Sequence, residues 1–232
     1  MKSLILAFCA LTIIGVSGCK KDNNPVSSDG TLGYFTGRVI DSNGTAISGA
    51  KIHAIPNVIE TSSFEKISSI NDIIQFQFSL PQISMVNLIL LRKGTSDTVA
   101  IIIKNSEMPA GVHSIFFDSD SLTAGIYTMK LEFGSERIEN DLILLKEPSE
   151  LVNANALIKT DTNGKFVLSN KIFAIGASYT RTSEVSPDSI GAITVTNNVT
   201  FLIMKEGYKN LIQNVFIDTT YANYKAFIME KH

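Results

Sequence analysis

The sequence predicts an all-β protein built from antiparallel sandwiches, and three observations carry that expectation. Helical periodicity is nearly absent, whereas period-two alternation recurs in short runs along the chain. Those runs are bounded by Gly, Asn, Asp, Ser and Pro, the residues that supply turn geometry. No helix-forming stretches lie between them, and a dozen short strands without intervening helices point to antiparallel sandwiches.

The alternation is clearest in three places. Ile74, Phe76, Phe78 and Leu80 alternate with Gln75, Gln77 and Ser79. Tyr127, Met129, Leu131 and Phe133 alternate with Thr128, Lys130 and Glu132. Val99, Ile101 and Ile103 are expected to share one buried face of another strand. Similar runs cover 34–40, 51–55, 86–91, 113–117, 137–145, 200–205, 211–217 and 224–229.

Composition bounds the function. The chain has 232 residues, 44% hydrophobic and 18% charged, with a formal net charge of −2. It can bury a sizeable core and is not a disordered chain. With no basic stripe to neutralise phosphates, nucleic acid is not an expected partner. Two cysteines and three histidines leave little material for a metal cluster or a disulfide framework.

The N-terminus reads as a targeting segment. Lys2 is followed by thirteen mostly apolar residues, 4–16, too few to cross ~30 Å of hydrocarbon but suited to a signal peptide. The run ends in Val16-Ser17-Gly18-Cys19, which resembles a bacterial lipobox. That resemblance implies a lipoprotein signal peptide at 1–18, removed with Cys9, and diacylglycerol on Cys19. The mature chain would then carry no disulfide. Residues 19–32 are polar and aperiodic, a flexible tether averaging ~20 Å. Lys20 stands where an aspartate would imply inner-membrane retention, and Lys20-Lys21-Asp22 is similar to a short charged surface-export signal. A merely solvated tether is the other reading. The expected location is the bacterial outer membrane, lipid-anchored, on the periplasmic face or the cell surface.

Two turns echo each other, Asp41-Ser42-Asn43-Gly44 and Asp161-Thr162-Asn163-Gly164. Asn-Gly favours positive φ, and the aspartate can accept the turn's backbone N–H groups. The same D-x-N-G opens some calcium loops. Neither copy supplies the later bidentate glutamate and further oxygens, so the plain turn is the expectation.

At these turns the chain resembles a carboxypeptidase-regulatory-like domain. The resemblance rests on the stretch from Gly37 to Ile52, with its Gly49-Ala50, on Thr160-Asp161-Thr162-Asn163-Gly164-Lys165-Phe166, and on Gly207-Tyr208. It implies a transthyretin-like sandwich for 33–67 and 148–232. The departure is distance: the family keeps its G-A and T-D motifs a couple of dozen residues apart, whereas Ala50 and Thr160 lie 110 apart.

The intervening residues, 68–147, resemble the Ig-like domain of flagellar hook-capping proteins and bacterial secretion modules. The matching pieces are 74–81, then Pro109-Ala110-Gly111-Val112-His113, Phe117-Asp118, Ala124-Gly125-Ile126-Tyr127 and 142–146. Phe117 replaces the usual tryptophan and Ser119 the usual glycine, and the domain is internal, which argues against a sorting-tag role. The expected architecture is therefore an Ig-like sandwich inserted in a transthyretin-like one. Thr61-Ser62-Ser63 and Glu147-Pro148-Ser149-Glu150 mark the junctions. Such an insertion costs little loop entropy when its ends lie close together.

The chemistry expected is sparse. His53 and His113 sit on strand-like runs, where a lone histidine is usually packed, and His232 is the last residue. No zincin, nucleophile-elbow or P-loop spacing occurs. Glu136 with Glu139 and Asp118 with Asp120 read as surface and turn residues rather than a glycosidase pair. No cofactor is expected. Residues 176–191 read as a long polar loop, with Tyr179 and Arg181 as its candidate binding residues. Thr98, Ser121 and Ser189 follow an aspartate and precede an aliphatic residue, as O-glycosylation acceptors do in some bacteria. The leading expectation is a non-enzymatic, lipid-anchored protein displaying β-sandwich modules for structural, adhesive or binding work. Alternatives are a carbohydrate-binding or envelope-assembly accessory and, last, an orphan hydrolase. Partners are the membrane, through the N-terminal lipid, and a protein or glycan ligand that the sequence does not name.

Overall fold

The computed structural model describes residues 33–60, 73–182 and 189–232. The expectations for Cys19, the tether and the 61–63 junction lie outside the described residues. The chain is nearly all β. It opens with β1 (Tyr34–Asp41) and β2 (Lys51–Glu60). Six strands follow: β3 (Ile73–Leu80), β4 (Ser84–Arg92), β5 (Thr98–Met108), β6 (Gly111–Asp118), β7 (Gly125–Phe133) and β8 (Glu136–Leu144). A 3₁₀ turn at Pro148–Leu151 leads to β9 (Ile158–Lys159) and β10 (Lys165–Ser169). After a second 3₁₀ turn, Asn170–Phe173, come β11 (Ser178–Thr182), β12 (Ser189–Met204), β13 (Leu211–Phe216) and β14 (Asn223–Met229).

Hydrogen bonding sorts these strands into two groups. β1, β2 and β9 to β14 pair only among themselves, as a β10-β1-β14 sheet and a β11-β12-β2-β9 sheet with β13 on β12. β3 to β8 likewise form a β3-β6 ribbon and a β5-β4-β7-β8 sheet. One pair in the first group departs from the antiparallel expectation: β14 reaches β1 from the other sheet and runs parallel to it, which sets Phe35 opposite Asn223 and Asp41 opposite Met229.

Between the two sheets of the first group lies a core of phenylalanines. Phe35, Phe201 and Phe227 are wholly buried, and the Phe35 and Phe201 rings stack with centroids 4.9 Å apart. Phe166 and Phe173 pack around them. Each buried aromatic contributes roughly 1.5–3 kcal/mol through area removed from water, more where the rings meet in offset geometry. In the second group Phe76, Leu80, Val86, Leu88, Leu131 and Phe133 form one cluster, and Leu90, Leu122, Tyr127 and Leu144 another.

The sequence reading needs two further corrections. Val99, Ile101 and Ile103 do not share a buried face, because Ile101 is 56% exposed. The β4–β5 ladder shifts register three times and Asn105 takes φ 44°, so alternation breaks. Ile102 and Ile103 both turn inward as a result. The second correction concerns 176–191. Its residues 178–182 and 189–191 belong to paired strands, with Tyr179 opposite Ile193 and Arg181 opposite Gly191. Polar side chains hid these strands, because neither face reads as apolar there.

Candidate functional site

The most constrained polar site in the described residues is the joint between the two groups of strands. β2 explains why a joint forms there. Ile52 and Ala54 point into the phenylalanine core, while His53 and Ile55 point the opposite way. β12 does the same, with Phe201 and Ile203 inward and Leu202 and Met204 outward. A strand apolar on both faces needs cover on both. The cover is Ala124, just before β7, with Leu151 and Ala154 from the segment after β8.

His53 is the polar element of this contact. Its side chain is fully buried, and Nδ1 lies 2.9 Å from Thr123 Oγ1, seventy residues further along. Burial favours the neutral ring, and the charge of nearby Lys51 adds to this, so the pKa is pushed down to about 4. Nε2 has no hydrogen-bond partner. Thr123 is held from its other side, since the buried Tyr127 hydroxyl donates to the Thr123 carbonyl at 2.6 Å. Burial raises the Tyr127 pKa, and the Arg92 guanidinium sits 5.6 Å from the ring centroid.

Further contacts lock the joint. Gly94, in the β4–β5 turn, has φ +74°, and a Cβ there would lie 2.8 Å from the Lys171 backbone. The Asn155 N–H donates to the Ser121 carbonyl at 2.9 Å. Within 68–147, Lys146, 5% exposed, donates its ammonium to the Ser119 carbonyl at 2.9 Å and ties the end of that segment to the β6–β7 turn. Beside the joint is a shallow crevice lined by Ala54, Pro56, Arg92, Ala124, Ile126 and Phe173, with an empty volume of about 300 Å³ counting its open mouth. Its walls are mostly apolar, and Arg92 is its cation.

The structure scatters the residues singled out by sequence. Tyr179 is half-buried, its hydroxyl unpartnered, and its pKa is raised by burial and by the negative charge of Asp141 on β8. It therefore lies half-buried on a paired strand instead of tipping a solvent loop. Arg181 lies on the same strand, with its side chain outside the described residues. Thr98 is exposed at the first position of β5, Ser121 is exposed in the turn before β7, and Ser189 begins β12. The Ser189 side chain lies outside the described residues.

The two D-x-N-G turns close the first sandwich identically. Asp41 Oδ1 accepts the N–H groups of Asn43 and Thr45, each at 2.9 Å. Asp161 Oδ1 accepts those of Asn163 and Lys165, each at 2.8 Å. The Thr45 N–H is the main reason the Asp41 carboxyl is held below its usual range. Both aspartates thus use a carboxylate oxygen as a turn clamp, which is the plain-turn expectation. Gly164, φ +70°, is required because a Cβ would sit 2.3 Å from the Val39 carbonyl.

Comparison with family models, curated proteins and solved structures gives no match. The site must therefore be read from its own geometry. His113 Nε2 lies 2.9 Å from the Pro109 carbonyl, so that ring fastens the β5–β6 turn. Among the described residues no three His, Cys, Asp or Glu side chains are grouped to hold a metal, and no helix is long and apolar enough to cross a membrane. The joint was missed by sequence reasoning. The signal for it was present in Ile52-His53-Ala54-Ile55, which leaves no face of β2 for water.

Proposed function

We propose that this chain is a non-catalytic lipoprotein of a bacterial envelope, anchored through Cys19, that presents two docked β-sandwiches for structural, adhesive or binding work. In this reading 33–67 with 148–232 is a carboxypeptidase-regulatory-like sandwich, and 68–147 is an inserted Ig-like sandwich. The observation that carries the non-catalytic part is His53. Its pKa is pushed down to about 4, yet the ring is sealed from solvent and spent on Thr123. A perturbed pKa marks a functional site only where substrate can reach it.

The anchoring half of the proposal stands on Val16-Ser17-Gly18-Cys19. Several acyl chains at ~0.8 kcal/mol per buried CH₂ hold a protein firmly where one does not. Expressed from its full-length sequence, the protein should sediment with membranes and resist high salt, whereas Cys19→Ala should be released to the soluble envelope fraction. Retention of Cys19→Ala in salt-washed membranes would overturn the anchor.

A further inference from the structure

The outward face of the β10-β1-β14 sheet has a composition that the sandwich itself does not use. Arg38 on β1 lies directly opposite Lys165 on β10. Like charges in that relation repel, and no salt bridge to either is found among the described residues. In the next row Val167 and Tyr224 flank Thr36, and they are 44% and 37% exposed. Tyr34, at the start of β1, is 43% exposed and Ile228 is 56% exposed. None of the outward residues in the paired rows is acidic.

The position of this face matters as much as its chemistry. β14 runs parallel to β1, so Tyr224 and the 69%-exposed Tyr221 before it lie at the same end as Tyr34. That is the end where the chain arrives from Cys19. Only residues 20–33 separate the two, and even fully extended they reach roughly 50 Å. An anchored chain this short keeps the face at high effective concentration beside the surface that holds it. Tyrosine suits the headgroup region, with an apolar ring and a polar tip, and paired cations suit phosphate oxygens.

We propose that this sheet face rests on the phospholipid surface into which Cys19 is inserted, with Arg38 and Lys165 on lipid phosphate and Tyr34, Tyr221 and Tyr224 at headgroup depth. The inference depends on the anchor proposed above. Contact with the headgroups fixes the orientation of the tethered sandwich, so that the β3–β8 group projects in one direction from the membrane.

The test uses the full lipidated protein in vesicles of phosphatidylethanolamine with 30% phosphatidylglycerol. An environment-sensitive fluorophore is placed at Val167→Cys and, as a control, at Phe116→Cys on β6, where the side chain is 66% exposed. Flotation of the vesicles reports the anchor independently. Neutral acrylamide should quench the label at 167 at least threefold less than the label at 116. Arg38→Glu with Lys165→Glu should remove most of that protection without changing flotation. Protein that fails to float refutes the anchor, and this proposal with it. Floating protein with equal quenching at both positions refutes the lipid-facing sheet alone. Protection at 167 that persists in detergent, together with a doubled mass, would assign the face to a second copy and overturn the proposal as well.

Discussion

Thr160 and Ala50 stand 110 residues apart, and the Ala50 N–H donates to Thr160 Oγ1 at 2.9 Å. The same hydroxyl donates to the Ile47 carbonyl at 2.7 Å. The Thr160 backbone completes the contact, taking the Gly49 N–H on its carbonyl and giving its own N–H to Ala50. One buried threonine thus stitches the start of β2 to the turn before β10, across the whole of β3 to β8. This is where G-A and T-D motifs must meet if a single sandwich is interrupted between them.

Thr160→Val removes the hydroxyl while keeping the shape. It leaves the Ala50 N–H and the Ile47 carbonyl without that partner, at about 1–3 kcal/mol for each buried group. Urea denaturation should show a loss of about 2–4 kcal/mol, and Thr160→Ser should recover most of it. A neutral Thr160→Val would mean the hydroxyl holds nothing.

The joint predicts a specific pH response. His53 is held at about 4 in the folded protein against 6.5 when unexposed to the fold. Because the folded value is the lower one, the unfolded chain takes up the proton first as pH falls. The His53 contribution is complete above pH 6.5 and is lost progressively down to about 4, by roughly 3 kcal/mol at most. The depressed carboxyls of Asp41 and Asp218 lose their contribution only lower, as pH falls through the carboxylate range. Urea midpoints of the natural protein and His53→Asn should therefore diverge at neutral pH and converge toward pH 4. A difference that stays constant across that window would contradict the assignment.

Gly94→Ala puts a Cβ against the Lys171 backbone and forces a non-glycine residue to φ +74°. Gly134→Ala carries a similar φ of +56° with open space around it, so it reports backbone strain alone. An αL residue other than glycine costs ~1–3 kcal/mol. Amide exchange at Ala174, whose N–H is bonded to the Lys171 carbonyl, should quicken in Gly94→Ala and not in Gly134→Ala. Equal effects would remove Gly94 from the joint.

Legibility in the sequence followed the physics of each element. β7 was readable because Tyr127, Leu131 and Phe133 are buried on one face while Thr128, Lys130 and Glu132 are not, although Ile126 at its start is buried as well. The twin turns were readable because Asp, Asn and Gly each have a local task there. β5 was misread because register shifts are set by its neighbour β4, and no pattern within β5 encodes them. β11 was missed because its side chains, Ser178, Tyr179, Thr180, Arg181 and Thr182, are mainly polar, and the first half of β12 because Ile190, Ala192, Ile193 and Val195 do not keep to one period-two face. His53 looked like an isolated packed histidine and is one. Its partner Thr123 was beyond prediction, since no pattern local to β2 or to the turn before β7 encodes a contact seventy residues away.

We propose that one sandwich, formed from 33–67 and 148–232, is interrupted by a second, 68–147, that folds independently and then docks. Excision tests it most directly. Replacing 68–147 with a short Gly-Ser linker removes Thr123 and Ala124, which uncovers His53 and part of Ile55, Leu202 and Met204, while Leu151 and Ala154 remain as cover. The account predicts a destabilised host that still unfolds in one cooperative urea transition. The excised 68–147 piece should likewise unfold cooperatively and keep its near-ultraviolet dichroism. Loss of tertiary dichroism with dye binding in either piece, the signature of a collapsed and unpacked chain, would mean that β1 to β14 fold as one inseparable unit.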